Sequence, residues 1–200
     1  MKLKDLFEST GKSVADLGID YKGGDFQCCY QQLAALSGCP EHVSGDFDCG
    51  HNRLKALSDG PRTVQSNYYC NDNQIKSLNG VPREINGDFV CSFNDLTSLV
   101  GCPEKVKGNF VCSFNSDIKS LKNIHMHIER ISGHFYGVGC SIESNVLGLM
   151  LIKDLKFVSL SNYDKTVEEI LNRHLGKGRA GMLMAQEELI EAGLEEYAKL

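Results

Sequence analysis

The hexapeptide FVCSFN stands at residues 89–94 and again at residues 110–115. The copies are 21 positions apart, and the flanking chain repeats with the same period. Five segments align nearly without gaps: GDFQCCYQQLAALSGCPEHVS (24–44), GDFDCGHNRLKALSDGPRTVQ (45–65), SNYYCNDNQIKSLNGVPREIN (66–86), GDFVCSFNDLTSLVGCPEKVK (87–107) and GNFVCSFNSDIKSLKNIHMHIE (108–129). The fifth carries one extra residue after Asn115 and lacks the proline, and a degraded sixth unit, GHFYGVGCSIESNVLG (133–148), follows. The shared pattern is F-x-C-x-x-N-x-L-x-x-L-x-G-x-P-x-x-V. No unit of this size buries its apolar side alone, so neighbours must stack into a solenoid.

Each column has a physical reading. Phe26, Phe47, Tyr68, Phe89, Phe110 and Phe135 alternate with outward residues and form the inward side of a short strand. Cys28, Cys49, Cys70, Cys91 and Cys112 lie two residues further on and share that face, as small buried hydrophobes. Leu33, Leu54, Ile75, Leu96, Ile118 and Ile142 fill the core past the bend, and Leu36, Leu57, Leu78, Leu99 and Leu121 fill it one step later. Pro40, Pro61, Pro82 and Pro103 stiffen the return path. The column Gln31, Asn52, Asn73, Asn94, Asn115, Cys140 falls where the chain turns sharply. An inward amide there satisfies backbone groups left unpaired by the turn and links one coil to the next.

A solenoid needs caps. Residues 1–23 are expected to supply one, with Leu3, Leu6, Phe7, Val14 and Leu17 giving a patchy helical face. Residues 24–148 hold the repeats, and residues 149–200 form a second, α-rich cap. Within and just before it, residues 146–152 read as a buried helical turn, 155–160 as a strand, 165–174 as a helix with Asp164 as N-cap, and 181–198 as one or two helices broken at Gly193.

The chain resembles a family of leucine-rich repeat proteins encoded by tailed bacteriophages. The resemblance rests on the G-[DN]-F-x-C-x-x-N-x-L-x-S-L repeat with its GCP or GVP return. It also rests on the tail, NVLGLMLIKDLKFVSL (145–160), VEEILNRHL (167–175) and AQEELIEAGLEEYAKL (185–200). It implies an α/β leucine-rich repeat solenoid with a short parallel sheet, few repeat helices and an α-rich C-terminal cap. It also implies viral origin, and no catalytic residues.

The bulk numbers exclude some classes. A net charge of −5 argues against a sequence-independent nucleic-acid binder, which needs a basic face. The start, MKLKDLFEST, has charges where a signal peptide carries its apolar core, and the longest apolar run, residues 146–152, is too short to span a bilayer. The expected location is the cytoplasm, that of the host cell for a phage protein. Nine cysteines, an odd count mostly placed by the repeat, fit a reducing compartment better than a disulfide framework.

Catalytic and metal sets do not emerge. A column of inward cysteines at strand spacing is a line, not a tetrahedron, and His125, His127, His134 and Cys140 match no standard metal spacing. The stretch GKGRAG (176–181) follows a helix rather than a strand, so it reads as a linker and not a nucleotide loop. Adjacent carboxylates such as Glu187 and Glu188 do not face each other on a helix. The chain is therefore expected to be non-enzymatic, with no cofactor and no metal.

The functional signal is the outward face of the strands. One column runs Gln27, Asp48, Tyr69, Val90, Val111, Tyr136, and its neighbour runs Tyr30, His51, Asp72, Phe93, Phe114, Gly139. Together they predict an aromatic and aliphatic patch flanked by acids near the strand starts, Asp25, Asp46, Asn67, Asp88 and Asn109. Phe93 and Phe114 read either as exposed anchors or as packing at the coil edge. The expected binding set is Tyr30, Asp48, Tyr69, Asp72, Val90, Phe93, Val111, Phe114 and Tyr136, acting on a host or phage protein partner. Two other readings stand beside it. One is a small-molecule or nucleotide site in the C-terminal region, cued by the register break at residues 116–139 and by Lys177 and Arg179. The other is an assembly or virion component.

Overall fold

The computed structural model describes residues 11–160 and 165–200. It is a parallel β-solenoid of about seven turns with few helices and a helical C-terminal part. One sheet has seven strands in strict chain order: Phe26–Gln27, Phe47–Asp48, Tyr68–Tyr69, Phe89–Val90, Phe110–Val111, His134–Tyr136 and Phe157–Ser159. Its register pairs like with like: Phe26 with Phe47, Tyr68 with Phe89, Phe110 with Phe135.

A second parallel sheet, of five strands, closes the opposite side of the first five coils: His42–Val43, Thr63–Val64, Glu84–Ile85, Lys105–Val106 and Arg130–Ile131. The proline return path is thus itself a strand. Its inward residues Val43, Val64, Ile85, Val106 and Ile131 are buried against the Phe, Cys and Leu columns. A β-branched residue in this column packs well on a pleated surface, which explains why the pattern ends in Val or Ile.

The asparagine column forms the expected ladder. Asn94 Nδ2 donates to the carbonyls of Cys70 (3.0 Å), Cys91 (3.1 Å) and Ser92 (3.2 Å), while its Oδ1 accepts the Ile75 N–H at 2.9 Å. Asn52, Asn73 and Asn115 repeat this arrangement in their own coils. Cys140 takes over in the sixth unit, its thiol donating to the Cys112 carbonyl at 3.2 Å. Gln31, in the first coil, is exposed, and its amide turns back to the Cys29 carbonyl.

A second polar ladder runs at the strand starts. Asp25, Asp46, Asn67, Asp88 and Asn109 each accept the backbone N–H of the corresponding residue one coil on, at 2.7–3.0 Å. At the strand starts these side chains are therefore engaged within the fold. They turn along the sheet edge and satisfy N–H groups there. The glycine of each G-[DN] pair follows from this. A Cβ on Gly108 would lie 2.2 Å from Asp88 Oδ1, and one on Gly87 would lie 2.3 Å from Asn67 Oδ1. Ser66 is the exception, and its side chain hydrogen-bonds Asp46 instead.

The 21-residue register holds from Phe26 to Phe110 and breaks after it. Phe110 pairs with Phe135 rather than a residue 21 further on, and the surplus is taken up by the helix Ile124–His127, which replaces the proline corner. The strand expected at 155–160 appears as Phe157–Ser159 and adds a seventh rung to the sheet. Its exposed edge is closed by Asn172 on the helix Lys165–His174: Oδ1 accepts the Val158 N–H at 2.8 Å and Nδ2 donates to the Val158 carbonyl at 2.7 Å. The amide stands in for the next strand, a direct answer to the edge problem. The helix Gly178–Glu191 then packs back on Lys165–His174 and on the 3-10 turn Leu147–Leu151, and it ends before Gly193 as expected. At the N-terminal end, Lys12–Ser13 is a strand paired with Leu33–Ala35, and Val14–Leu17 forms one 3-10 turn that buries Val14. Leu3, Leu6, Phe7 and Asp164 lie outside the described residues. No helix among the described residues is long and apolar enough to cross a membrane.

Candidate functional site: the outer strand face

The two sequence columns lie side by side on the outside of the seven-stranded sheet. Asp48, Tyr69, Val90, Val111 and Tyr136 are partners in consecutive strands, so their side chains form one unbroken row. All are half-buried. Ser92 and Ser113 lie between this row and the next, nearly covered. Burial, with the nearby carboxylates of Asp46, Asp88 and Asp48, pushes the Tyr69 phenol upward, so the row is uncharged there at neutral pH. The Asp46 carboxyl is pulled up by burial, but hydrogen bonds from Ser66 and Asn67 outweigh this and hold it below the usual carboxylate range.

The second column has a feature that the repeat pattern did not disclose. Tyr30, His51, Asp72, Phe93 and Phe114 all have left-handed backbone, with φ of 57°, 53°, 53°, 54° and 58°, and Gly139 completes the column at 73°. The turn after each strand demands this conformation, because it swings the next side chain inward onto the ladder. Gly, Asn and Asp adopt it most cheaply; a bulky side chain there is a genuine outlier. Asp72, Gly139 and His51 are of types enriched there, whereas Tyr30, Phe93 and Phe114 are not.

The bulky members pair. Tyr30 and His51 stack with centroids 4.2 Å apart and planes 8° from parallel, and Phe93 and Phe114 stack at 4.3 Å and 13°. Tyr30 is 69% exposed, Phe93 49% and Phe114 48%. Phe93 and Phe114 are therefore both exposed and packed at the coil edge: one face of each ring is covered by its neighbour, and the outer edges are open to solvent. Phe114 also lies over Gly139, where a Cβ would come within 2.6 Å of its ring. Between the two stacks, His51 Nδ1 approaches Asp72 Oδ2 at 3.6 Å, and Asn71 Nδ2 donates to the same carboxylate at 2.8 Å.

The outer face thus carries the half-buried row Tyr69, Val90, Val111 and Tyr136 beside the Phe93/Phe114 stack, with Ser92 and Ser113 nearly covered between them. His134 and Phe157 extend this face past Tyr136, with His134 Nδ1 bonded to the Tyr136 hydroxyl at 2.9 Å and Phe157 edge-on to His134. His51, His134 and Phe157 were outside the expected binding set. The first was legible as a member of its column; Phe157 carries no repeat signature. The return face contrasts with this one. It is laced by ion pairs between coils, among them Arg62–Glu41, Arg83–Glu104, Lys107–Glu84 and Arg130–Asp154.

Burial pushes the thiols of Cys49, Cys70 and Cys91 far up, and that of Cys102 up to about 12, so none is a ready thiolate. Among the interior thiols Cys140 is the exception, its thiol held below the ordinary cysteine range by the hydrogen bond from Cys112. His134 bonds the Tyr136 hydroxyl and Cys140 the Cys112 carbonyl, and no three His, Cys, Asp or Glu side chains among the described residues come together to hold a metal. His174 is buried and bonded to Glu188, pinning the two C-terminal helices beside the exposed Lys177 and Arg179. Comparison with protein-family models, with curated proteins and with solved structures finds no match for this chain.

Proposed function

We propose that the protein is a non-enzymatic interaction module that binds a protein partner through the outer strand face. The observation that carries this reading is the left-handed column. Backbone strain held by bulky, exposed side chains at Tyr30, Phe93 and Phe114 costs the fold free energy at positions where Gly or Asn would be cheaper. Retaining those rings makes sense if their exposed surface is used. Aromatic groups of this kind anchor protein interfaces because they bury large area with little side-chain entropy. The adjoining row of Tyr69, Val90, Val111 and Tyr136 enlarges the same apolar surface, and the rigid stack of coils presents it without a folding cost on binding.

On the phage leucine-rich repeat reading of the sequence, the partner is a host factor in the bacterial cytoplasm or another phage protein. The module then acts by occlusion or recruitment. The test is affinity capture from bacterial lysate, comparing wild type with a Tyr69→Ala/Val90→Asp double variant whose circular dichroism and melting match wild type. Loss of a specific captured protein supports the reading. Retention of every captured protein by the folded double variant sinks it.

A further inference from the structure

The first coil ends in an unfinished stack. His51 covers one face of the Tyr30 ring, and no ring among the described residues stacks on its other face. Tyr30 is the most exposed aromatic of the column. It lines a groove of about 700 Å³ at this end of the solenoid, within the range of small-ligand sites.

The composition of that groove is unusual for an acidic chain. Lys12, Arg53 and Lys55 line it, together with amides that include Gln32 and Gln74, and no carboxylate among the described residues does. Neither Arg53 nor Lys55 makes an ion pair among the described residues. Elsewhere on the surface the cations of the return face are matched to acids one coil away. An open ring face beside unmatched cations and amide groups suits a ligand with a planar ring at one end and an anion at the other.

We propose that this groove binds a nucleotide, with the base stacked on Tyr30 as the next rung of the ladder and the phosphate held by Arg53, Lys55 and Lys12. Base–aromatic stacking is tolerant of base identity, and an arginine fork matches phosphate geometry. The amides of Gln32 and Gln74 offer donors and acceptors to the base edge or the sugar. The site shares only Tyr30 with the proposed protein-binding face, so either can fail alone.

The test is titration calorimetry of the full chain with adenosine monophosphate, adenosine and inorganic phosphate, each separately. The proposal expects the nucleotide to bind at least 10-fold tighter than either fragment, since two subsites act on one molecule. Arg53→Gln/Lys55→Gln should remove the advantage of the nucleotide over adenosine. Tyr30→Asn should remove its advantage over phosphate; asparagine tolerates the left-handed backbone, so the coil is kept, and an unchanged melting curve checks this. No binding at millimolar nucleotide, equal affinity for nucleotide and phosphate, or tighter binding of an acidic peptide than of nucleotide would each overturn the proposal.

Discussion

The side-chain amide of Asn94 donates to the backbone carbonyl of Cys70 in the preceding coil at 3.0 Å. The same side chain accepts the N–H of Ile75 at 2.9 Å, so one residue holds both sides of the turn below it. Its replacement by alanine leaves these buried groups without partners. Asn94→Ala should destabilise the fold by about 1–3 kcal/mol in urea unfolding. An unchanged midpoint would mean that the ladder is incidental to stability.

Gly108 and Asp88 make the equivalent case at the strand starts. A methyl group on Gly108 would overlap the Asp88 carboxylate and also lie 2.7 Å from the Gly87 carbonyl carbon, so side-chain rotation alone gives no relief. Gly108→Ala should cost about 1–3 kcal/mol, in the range of a backbone-level clash. Thermal melting would read the loss directly, and a neutral result would argue that the strand-start ladder adjusts freely.

The Asp46 carboxyl gives a pH signature. Its folded pKa lies below the model-peptide value of 3.8, because Ser66 and Asn67 hydrogen-bond the ionised form. The stabilisation is therefore fully present above the unfolded pKa and is lost as pH falls through the folded one. Asp46→Asn keeps an acceptor for the Asn67 N–H, as Asn67 itself does for Asp88. The stability gap between wild type and Asp46→Asn should be constant from pH 7 to about pH 5 and close progressively below about pH 4. A gap that widens on acidification would contradict the assignment.

Tyr68 occupies a Phe column, is fully buried, and its hydroxyl finds no hydrogen-bond partner among the described residues. Tyr68→Phe removes that hydroxyl while leaving the ring between Phe47 and Phe89. Stability should rise by about 1 kcal/mol. A fall would reveal that the hydroxyl is satisfied in solution.

Much of this fold was legible in the sequence because stacking imposes one requirement on the same position of every coil. The Phe, Cys and Leu columns and the Asn ladder could be read that way, since only an inward amide explains an asparagine recurring after a strand. The second sheet was less legible. A single Val or Ile per coil, flanked by prolines and charges, shows neither alternation nor length. The hydrogen bonding of the strand-start Asp and Asn was not legible, because acceptance of the next coil's N–H depends on a close approach that only the neighbouring glycine hints at. The left-handed column was hidden for the opposite reason. Tyr30, Phe93 and Phe114 are not residues that announce such a backbone, and only His51, Asp72 and Gly139 are of types enriched there. The seventh rung escaped because Phe157–Ser159 shares no motif with the repeat and joins it solely through pairing with His134–Tyr136.

The most direct test of the account compares stability with exposure at the left-handed column. If Phe93 and Phe114 are kept for their outer surface, replacing both by asparagine relieves two strained residues and loses one ring stack, terms of about 1 kcal/mol each that oppose one another. Urea unfolding of Phe93→Asn/Phe114→Asn should then give a stability within about 1 kcal/mol of wild type. A loss of about 3 kcal/mol or more, in the range of a buried phenylalanine removed from a core, would show that the two rings serve the fold and would contradict the binding face.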